Sequence, residues 1–194
     1  MRRLNRFLPA LALAFAPGVA LAHTGVGSTA GLAHGFVHPL SGIDHLLVMI
    51  AVGVFAAQLG GRALWAIPAS FVAIMAIGGA LGMAGVALPF VEIAIAVSVV
   101  VLGMAVALGI DMPTVAAMAL VGAFAIFHGH VHGTEMPATV SGFGYGLGFV
   151  AATAALHALG IGLGLAMTRT GVRLRQVSGA AMALVGLVLV AGAL

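Results

Sequence analysis

Residues 89–109 read PFVEIAIAVSVVVLGMAVALG, a stretch of 21 residues whose single charge is Glu92. A helix needs about 20 mostly apolar residues to cross the hydrocarbon core of a bilayer, so this stretch predicts a membrane-spanning helix. Similar stretches fill most of the chain, because 63% of its 194 residues are hydrophobic and only 6% are charged. A soluble domain has about 25% charged residues. The sequence therefore predicts an all-α, polytopic integral membrane protein.

Turn residues divide the apolar sequence into six predicted helices. Pro89 and Pro113 stand at predicted helix starts, where the missing N–H costs nothing, and Gly60 and Gly109 stand at predicted ends. The six predicted spans cover about 41–59, 64–84, 89–109, 114–131, 142–166 and 176–194. Their connections are short, apart from a predicted loop over 167–175. Each helix should therefore run antiparallel to the one before it, in a compact up-and-down bundle.

The first 22 residues have the three parts of a secretory signal peptide. Three arginines lie within the first six residues, residues 7–19 are apolar, and Ala20-Leu-Ala22 is a small-x-small cleavage site. We expect cleavage before His23, which leaves residues 23–194 as one transmembrane domain. The alternative is that residues 7–22 remain as an uncleaved helix, although this segment is short for a span and contains two prolines.

The remaining charges predict the orientation in the membrane. Residues 23–194 carry four arginines and four acidic residues, so this part is neutral and has no basic patch for nucleic acid. If His23 is outside, all four arginines lie in connections that face the cytoplasm, as the positive-inside rule requires: Arg62, Arg169, Arg173 and Arg175. The sequence predicts a multi-pass protein of the bacterial cytoplasmic (inner) membrane with both mature termini on the periplasmic face.

Composition narrows the chemistry to histidine and carboxylate. The chain has no cysteine and no lysine, which excludes disulfides, cysteine-ligated metal sites, thiol nucleophiles and Schiff bases. It also has no Walker motif, so it cannot itself couple ATP hydrolysis to transport. Any transport that it performs is therefore facilitated or secondary.

Most of the eight histidines fall into two groups that also contain acidic residues. The first group lies at the outer entrance of the first predicted helix and comprises His34, His38, Asp44 and His45. The second lies at the exit of the fourth predicted helix and comprises His128, His130, His132 and Glu135. A chain that enters from outside returns to the outer side after four crossings, so both groups should share one membrane face. Ionisable groups are costly in a membrane, and their clustering predicts metal or proton handling.

The second group has the spacing of metal ligands on a helix. At about 100° per residue, His128, His132 and Glu135 fall within roughly 60° of one another. One helix face would therefore carry two imidazoles and a carboxylate. These ligand types suit nickel, cobalt and zinc, whereas the lack of thiolate argues against a tight copper(I) site.

In the first group, Pro39 determines where we expect the first helix to begin. The residue before a proline avoids the helical region, so we expect His38 in a loop or at the N-cap of a helix that starts at Pro39. Asp44 and His45 would project from the early turns of that helix, Asp44 either as a ligand or as the acceptor that fixes a histidine tautomer. The predicted metal ligands are His38, Asp44, His45, His128, His132 and Glu135.

Other polar residues are candidates for an additional metal or pathway site. His157, in the fifth predicted helix, is either a deeper relay site or an interhelical hydrogen-bond partner. Glu92 either completes the entrance or is a solvated carboxylate, and His23 would offer its amine and imidazole after cleavage. The full set of additional candidates is His34, His130, His157, Glu92 and His23.

Glycine is abundant, with 29 residues, and several glycines are spaced four apart. Such pairs let helix backbones approach closely in a membrane. We predict that they serve packing within the chain, with a homo-oligomer face or a glycine-lined pathway as the alternative. The pairs include Gly78/Gly82, Gly142/Gly146, Gly144/Gly148 and Gly160/Gly164.

The run from His38 to His45, HPLSGIDH, and the run from Phe127 to Pro137, FHGHVHGTEMP, resemble the two signature motifs of the HupE/UreJ family of bacterial nickel/cobalt permeases. The likeness covers nearly the whole chain. It implies a secondary, ATP-independent permease for a divalent transition metal, nickel first and cobalt second, that supplies hydrogenase or urease maturation. It also implies the same six ligands. His130-Val131 departs from the family pattern of a less polar residue followed by alanine, and the extra imidazole bears on metal preference.

Two other functional classes stay open at the level of sequence. An intramembrane zinc-dependent hydrolase also uses histidine and aspartate around an activated water, and a haem-binding membrane protein needs axial histidines on facing helices. The predicted permease, in contrast, is not an enzyme and keeps no permanently bound cofactor. Its partners are the transported Ni²⁺ or Co²⁺ and the lipid bilayer, with no nucleic acid.

Overall fold

The computed structural model of the protein describes residues 28–194, and the regular secondary structure in this part of the chain is helical throughout. The helices are α1 (Ser28–Ser41), α2 (Ile43–Leu59), α3 (Ala63–Met83), α4 (Val91–Leu108), α5 (Thr114–Thr134), α6 (Gly142–Thr170) and α7 (Val172–Ala193). The predicted signal peptide and His23 lie outside the described residues.

The lengths and composition of these helices fit six membrane spans. Helices α3 to α7 are each long and apolar enough to cross a bilayer. Helices α1 and α2 pass the same test only together, and they are bent by 86° where they meet at Gly42. With this bent pair counted as one span, the number equals the six predicted from sequence. The prediction of an all-α polytopic membrane protein is confirmed.

The predicted helix start at Pro39 was wrong. Helix α1 runs through His38 and Pro39 and ends at Ser41. Proline in a helix forfeits one hydrogen bond, here to the carbonyl of Gly35, and its ring presses on that same residue. The disturbance is confined to the last turn, because the helix ends two residues later. Ser41 also donates to the backbone oxygen of His38, at 2.5 Å, which satisfies a carbonyl near the helix end.

The predicted loop over 167–175 was also wrong. Helix α6 continues to Thr170 and α7 begins at Val172, so that Gly171 alone makes the turn. Its φ of 109° lies in the region that favours glycine. The polarity of the three arginines around this turn predicts a loop, but arginine has a high helix propensity. Both helices therefore extend past their apolar stretches and into the arginine-containing segment.

Glycine sets the closest helix packing. Helices α3 and α5 make the most extensive contact in the described part of the chain. A Cβ atom on Gly78 would overlap the backbone oxygen of Ile126, and one on Gly129 would overlap that of Met75. Small residues permit such backbone contact in a membrane. The predicted packing role is thus confirmed for Gly78, whereas a Cβ on Gly146 would meet nothing within 4 Å.

The other extensive contacts also join helices that are not consecutive in sequence. Helix α4 packs on α7, and α6 packs on both α1 and α2. Gly103 of α4 lies against Ala183 of α7, and Gly53 of α2 lies against Gly160 of α6. The predicted alternation of direction holds. The second and fourth spans, α3 and α5, run parallel, and the third and sixth spans, α4 and α7, run antiparallel. As a result, the start of α2 and the end of α5 lie at the same end of the bundle.

Candidate metal centre

The two histidine groups predicted from sequence meet at this end of the bundle. The ring of His132, near the end of α5, lies 4.1 Å from the ring of His45 in the first turn of α2. It also lies 4.8 Å from the ring of His38 in the last turn of α1. The bend at Gly42 makes this possible, because α1 and α2 approach α5 from different directions. Residues from three helices therefore form one cluster.

Three residues at the surface of the cluster have ligand atoms within 4.8 Å of one another, and we name them the rim group: His38, His132 and Glu135. The Nε2 atom of His38 lies 3.0 Å from Oε2 of Glu135, across 97 residues of sequence. His132 is only 4% exposed, and neither of its ring nitrogens has a hydrogen-bond partner among the described residues. Buried polar atoms without a partner are rare and call for an explanation. A bound cation would supply one.

His45 and His128 continue the cluster into the bundle, and we name them the inner pair. Their rings lie 4.7 Å apart with an interplanar angle of 81°. Oδ1 of Asp44 accepts a hydrogen bond from Nδ1 of His45 at 2.8 Å and another from its backbone N–H at 2.7 Å. This leaves Nε2 of His45 as the open nitrogen, and that atom has no partner among the described residues. The geometry fits the second of the two roles predicted for Asp44, the acceptor that fixes a tautomer.

An open cavity of about 200 Å³ lies over the rim group. Three carboxylates line it, from Asp44, Glu92 and Glu135. Glu92 is exposed in the first turn of α4 and lines this cavity, a position compatible with both of its predicted alternatives, completion of the entrance and a solvated carboxylate. Acidic groups around a cleft raise the local concentration of cations.

Two of the additional candidates do not join the cluster. His34 lies on the exposed side of α1. His130 is buried, but its Nε2 donates to the backbone oxygen of Val86, at 2.6 Å, in the connection between α3 and α4. The extra imidazole of the second motif therefore holds this connection through one nitrogen. Its Nδ1 is buried and has no hydrogen-bond partner among the described residues, and its role as a metal or pathway residue stays a prediction. His23 lies outside the described residues.

His157 lies deeper, separated from the cluster by Phe71. It is 2% exposed, and neither ring nitrogen has a hydrogen-bond partner among the described residues. Its ring contacts Phe71 at 5.2 Å, and Phe71 contacts His128 at 5.9 Å. The interhelical hydrogen bond, one of the two predicted alternatives, is not formed among the described residues, and the relay role stays a prediction.

Three residues of the site were not found from the sequence. Ser98 lies with its Oγ 2.9 Å from Nε2 of His128, the ring of Tyr145 lies 5.9 Å from that of His38, and the ring of Phe149 lies 4.1 Å from that of His132. A signal existed for two of them. Ser98 is the one hydroxyl side chain in the apolar α4, and Tyr145 is the chain's single tyrosine. Phe149 is one of ten phenylalanines and carries no such signal.

Comparison with known proteins places the whole cluster inside a shared family region. Residues 11–189 match the family model described as HupE / UreJ protein. The chain is also 48% identical over 135 residues to the curated Protein HupE of Rhizobium leguminosarum bv. viciae, which covers 70% of this chain and 69% of that protein. No solved structure was found to match the chain.

Proposed function

This chain belongs to the HupE / UreJ protein family, and from this premise we propose that it is a secondary, ATP-independent permease for a divalent transition metal. The observation that carries the proposal is the rim group, in which two imidazoles and a carboxylate from the ends of two helices, α1 and α5, bring their ligand atoms within 4.8 Å of one another. Nickel is the first proposed substrate and cobalt the second, since both accept this ligand set. The metal would supply hydrogenase or urease maturation.

The arrangement of the cluster suggests how an ion would enter the bundle. Carboxylates in the cavity would attract the hydrated cation, and the rim group would replace part of its water shell. His132 would then pass the ion to the inner pair, because its ring contacts both His38 and His45. Each transfer spans less than 5 Å between ring centres, so the ion need not cross an apolar gap on this part of the path. Conduction requires binding that is strong enough to enter and weak enough to leave, and a series of small ligand groups meets this need.

The membrane potential is enough to drive accumulation. A divalent cation that moves inward through about 100 mV, inside negative, gains about 4.6 kcal/mol, which supports roughly a thousandfold accumulation. We therefore expect purified protein in liposomes to admit nickel when a potassium gradient with valinomycin sets the inside negative, with no ATP present. A nickel-sensitive dye trapped inside measures the influx, and protein-free liposomes are the control.

Influx that slows when the potassium gradient is removed, together with loss of nickel accumulation above the outside concentration, supports the proposal. Influx that needs ATP contradicts the secondary mechanism. No influx of either nickel or cobalt contradicts the permease altogether, and zinc retained through purification together with hydrolysis of an amide or lipid would then favour the hydrolase alternative.

We also propose that the cluster faces the periplasm and that residues 1–22 are removed as a signal peptide. The arginines of the described chain support this orientation. Arg62 lies at the start of α3, and the other three lie at the junction of α6 and α7. Both places are at the end of the bundle opposite the cluster, as expected for the cytoplasmic side.

The lack of native cysteine makes the orientation testable. Ala138 lies in the connection after α5, near the cluster, and Asp111 lies in the connection before α5, at the opposite end; both are exposed. In spheroplasts, a membrane-impermeant maleimide should label Ala138→Cys in intact samples and Asp111→Cys only after permeabilisation. The reverse pattern would show that the cluster faces the cytoplasm.

A further inference from the structure

Ser98 of α4 makes a polar contact with the inner pair, although α4 supplies no histidine to the cluster. It is fully buried in the apolar α4. Its hydroxyl donates to the backbone oxygen of Ile95 at 2.6 Å, and its Oγ lies 2.9 Å from Nε2 of His128. A serine hydroxyl has a single proton to give. When that proton is given to Ile95, Ser98 accepts at the second contact and Nε2 of His128 carries the hydrogen.

This arrangement leaves Nδ1 of His128 as the open nitrogen. A neutral imidazole with its hydrogen on Nε2 has its lone pair on Nδ1. Nδ1 of His128 is buried and has no hydrogen-bond partner among the described residues. Asp44 acts on His45 in the same way from the other nitrogen, holding Nδ1–H and leaving Nε2 open. Each ring of the inner pair is thus held by a partner on one nitrogen and open on the other.

We propose that Ser98 is a positioning residue that holds His128 in the tautomer whose Nδ1 is open to the metal. This inference rests on the proposed function. Only an unprotonated ring nitrogen binds a metal ion, and the partner of the other nitrogen decides which one that is. Without the hydroxyl, the Nε2–H of His128 would be buried with no acceptor from α4. The ring would then favour other tautomers and orientations.

The direct test is the tautomer of His128 in the full-length, metal-free protein. Protein with ¹³C- and ¹⁵N-labelled histidine in lipid bilayers gives solid-state NMR shifts that distinguish Nε2–H from Nδ1–H, and the spectrum of His128→Gln identifies the signals of His128. We expect Nε2–H in the wild type and a mixed or reversed population in Ser98→Ala. Nδ1–H in the wild type would overturn the proposal.

A matched pair of variants separates the hydroxyl from packing. Ser98→Thr and Ser98→Val add the same branched volume to a fully buried position, but only threonine keeps a hydroxyl. We expect the wild-type tautomer in Ser98→Thr and its loss in Ser98→Val. The same tautomer in both variants would show that the hydroxyl does not set it, and would overturn the proposal.

Transport of nickel(II) into liposomes links the tautomer to function. Removing a group that orients a metal-binding histidine costs about 10- to 100-fold, so we expect losses of this size in Ser98→Ala and Ser98→Val and recovery in Ser98→Thr. Wild-type influx in Ser98→Ala would overturn the positioning role. A wild-type protein that carries neither nickel nor cobalt would overturn the proposed function instead, while the NMR spectrum still decides the tautomer.

Discussion

Nickel accumulation should fall to the level of cells without the protein when His132 is replaced by alanine. His132 belongs to the rim group, and its ring contacts both His38 of that group and His45 of the inner pair. Its two ring nitrogens are also without any other partner among the described residues. Loss of a partner that only orients a ligand costs about 10- to 100-fold, so the loss of this ligand should exceed that range.

The matched control for this variant is His34→Ala. His34 belongs to the same sequence group and is exposed one helical turn before His38, but in the described part of the chain its side chain makes no hydrogen bond, ion pair or ring contact with the cluster. We expect His34→Ala to accumulate nickel like the wild type. The measurement is radioactive nickel uptake in cells that lack their own high-affinity uptake, compared at equal membrane abundance, with cobalt as competitor. Equal uptake in the two variants would contradict the assignment of His132.

The second large effect should be a loss of folded protein in Gly78→Ala. A Cβ atom at this position would overlap the backbone oxygen of Ile126, where α3 and α5 pack most extensively. Backbone atoms cannot move aside as a flexible side chain can, so the two helices would have to separate. Overpacking a core costs about 1–3 kcal/mol, and we expect the upper part of this range.

Gly146→Ala is the matched control, since it makes the same substitution in α6. A Cβ at Gly146 meets nothing within 4 Å, and alanine is favoured over glycine in a helix by about 1 kcal/mol. We therefore expect unchanged or slightly higher stability. Size-exclusion chromatography after heating in detergent measures the fraction that remains folded. A loss in Gly146→Ala as large as that in Gly78→Ala would contradict packing within the chain and favour the predicted homo-oligomer face.

The helices could be predicted from sequence wherever a glycine or proline stands at their ends. Gly60 and Gly109, predicted as ends, adopt positive φ values just after α2 and α4, and Pro113 stands directly before α5. The prediction of helix ends was wrong where the local preference of a residue and the helix around it favour different structures. Pro39 disfavours a helix locally, yet α1 accommodates it in its last turn. At Gly171 the polarity of the arginines was mistaken for a loop, although arginine is compatible with a helix.

The convergence of the histidine groups was readable because an even number of crossings returns the chain to the same face. The separation of His130 from His128 and His132 also follows from 100° per residue, and the structure has His130 bonded to Val86 instead. The role of Ser98 was not readable. It depends on which side of α4 faces α5, because only that side can bring Ser98 to His128. The other side chains of α4 are almost all apolar, so no local pattern in its sequence marks that side.

The central claim is that this cluster carries a divalent metal across the membrane. Nickel influx into liposomes containing wild-type protein or His132→Ala, side by side under an inside-negative potential, tests it most directly. We predict potential-driven influx with the wild type and the protein-free rate with His132→Ala. Influx through His132→Ala equal to that of the wild type would contradict the claim, because nickel would then cross without the residue that joins the rim group to the inner pair.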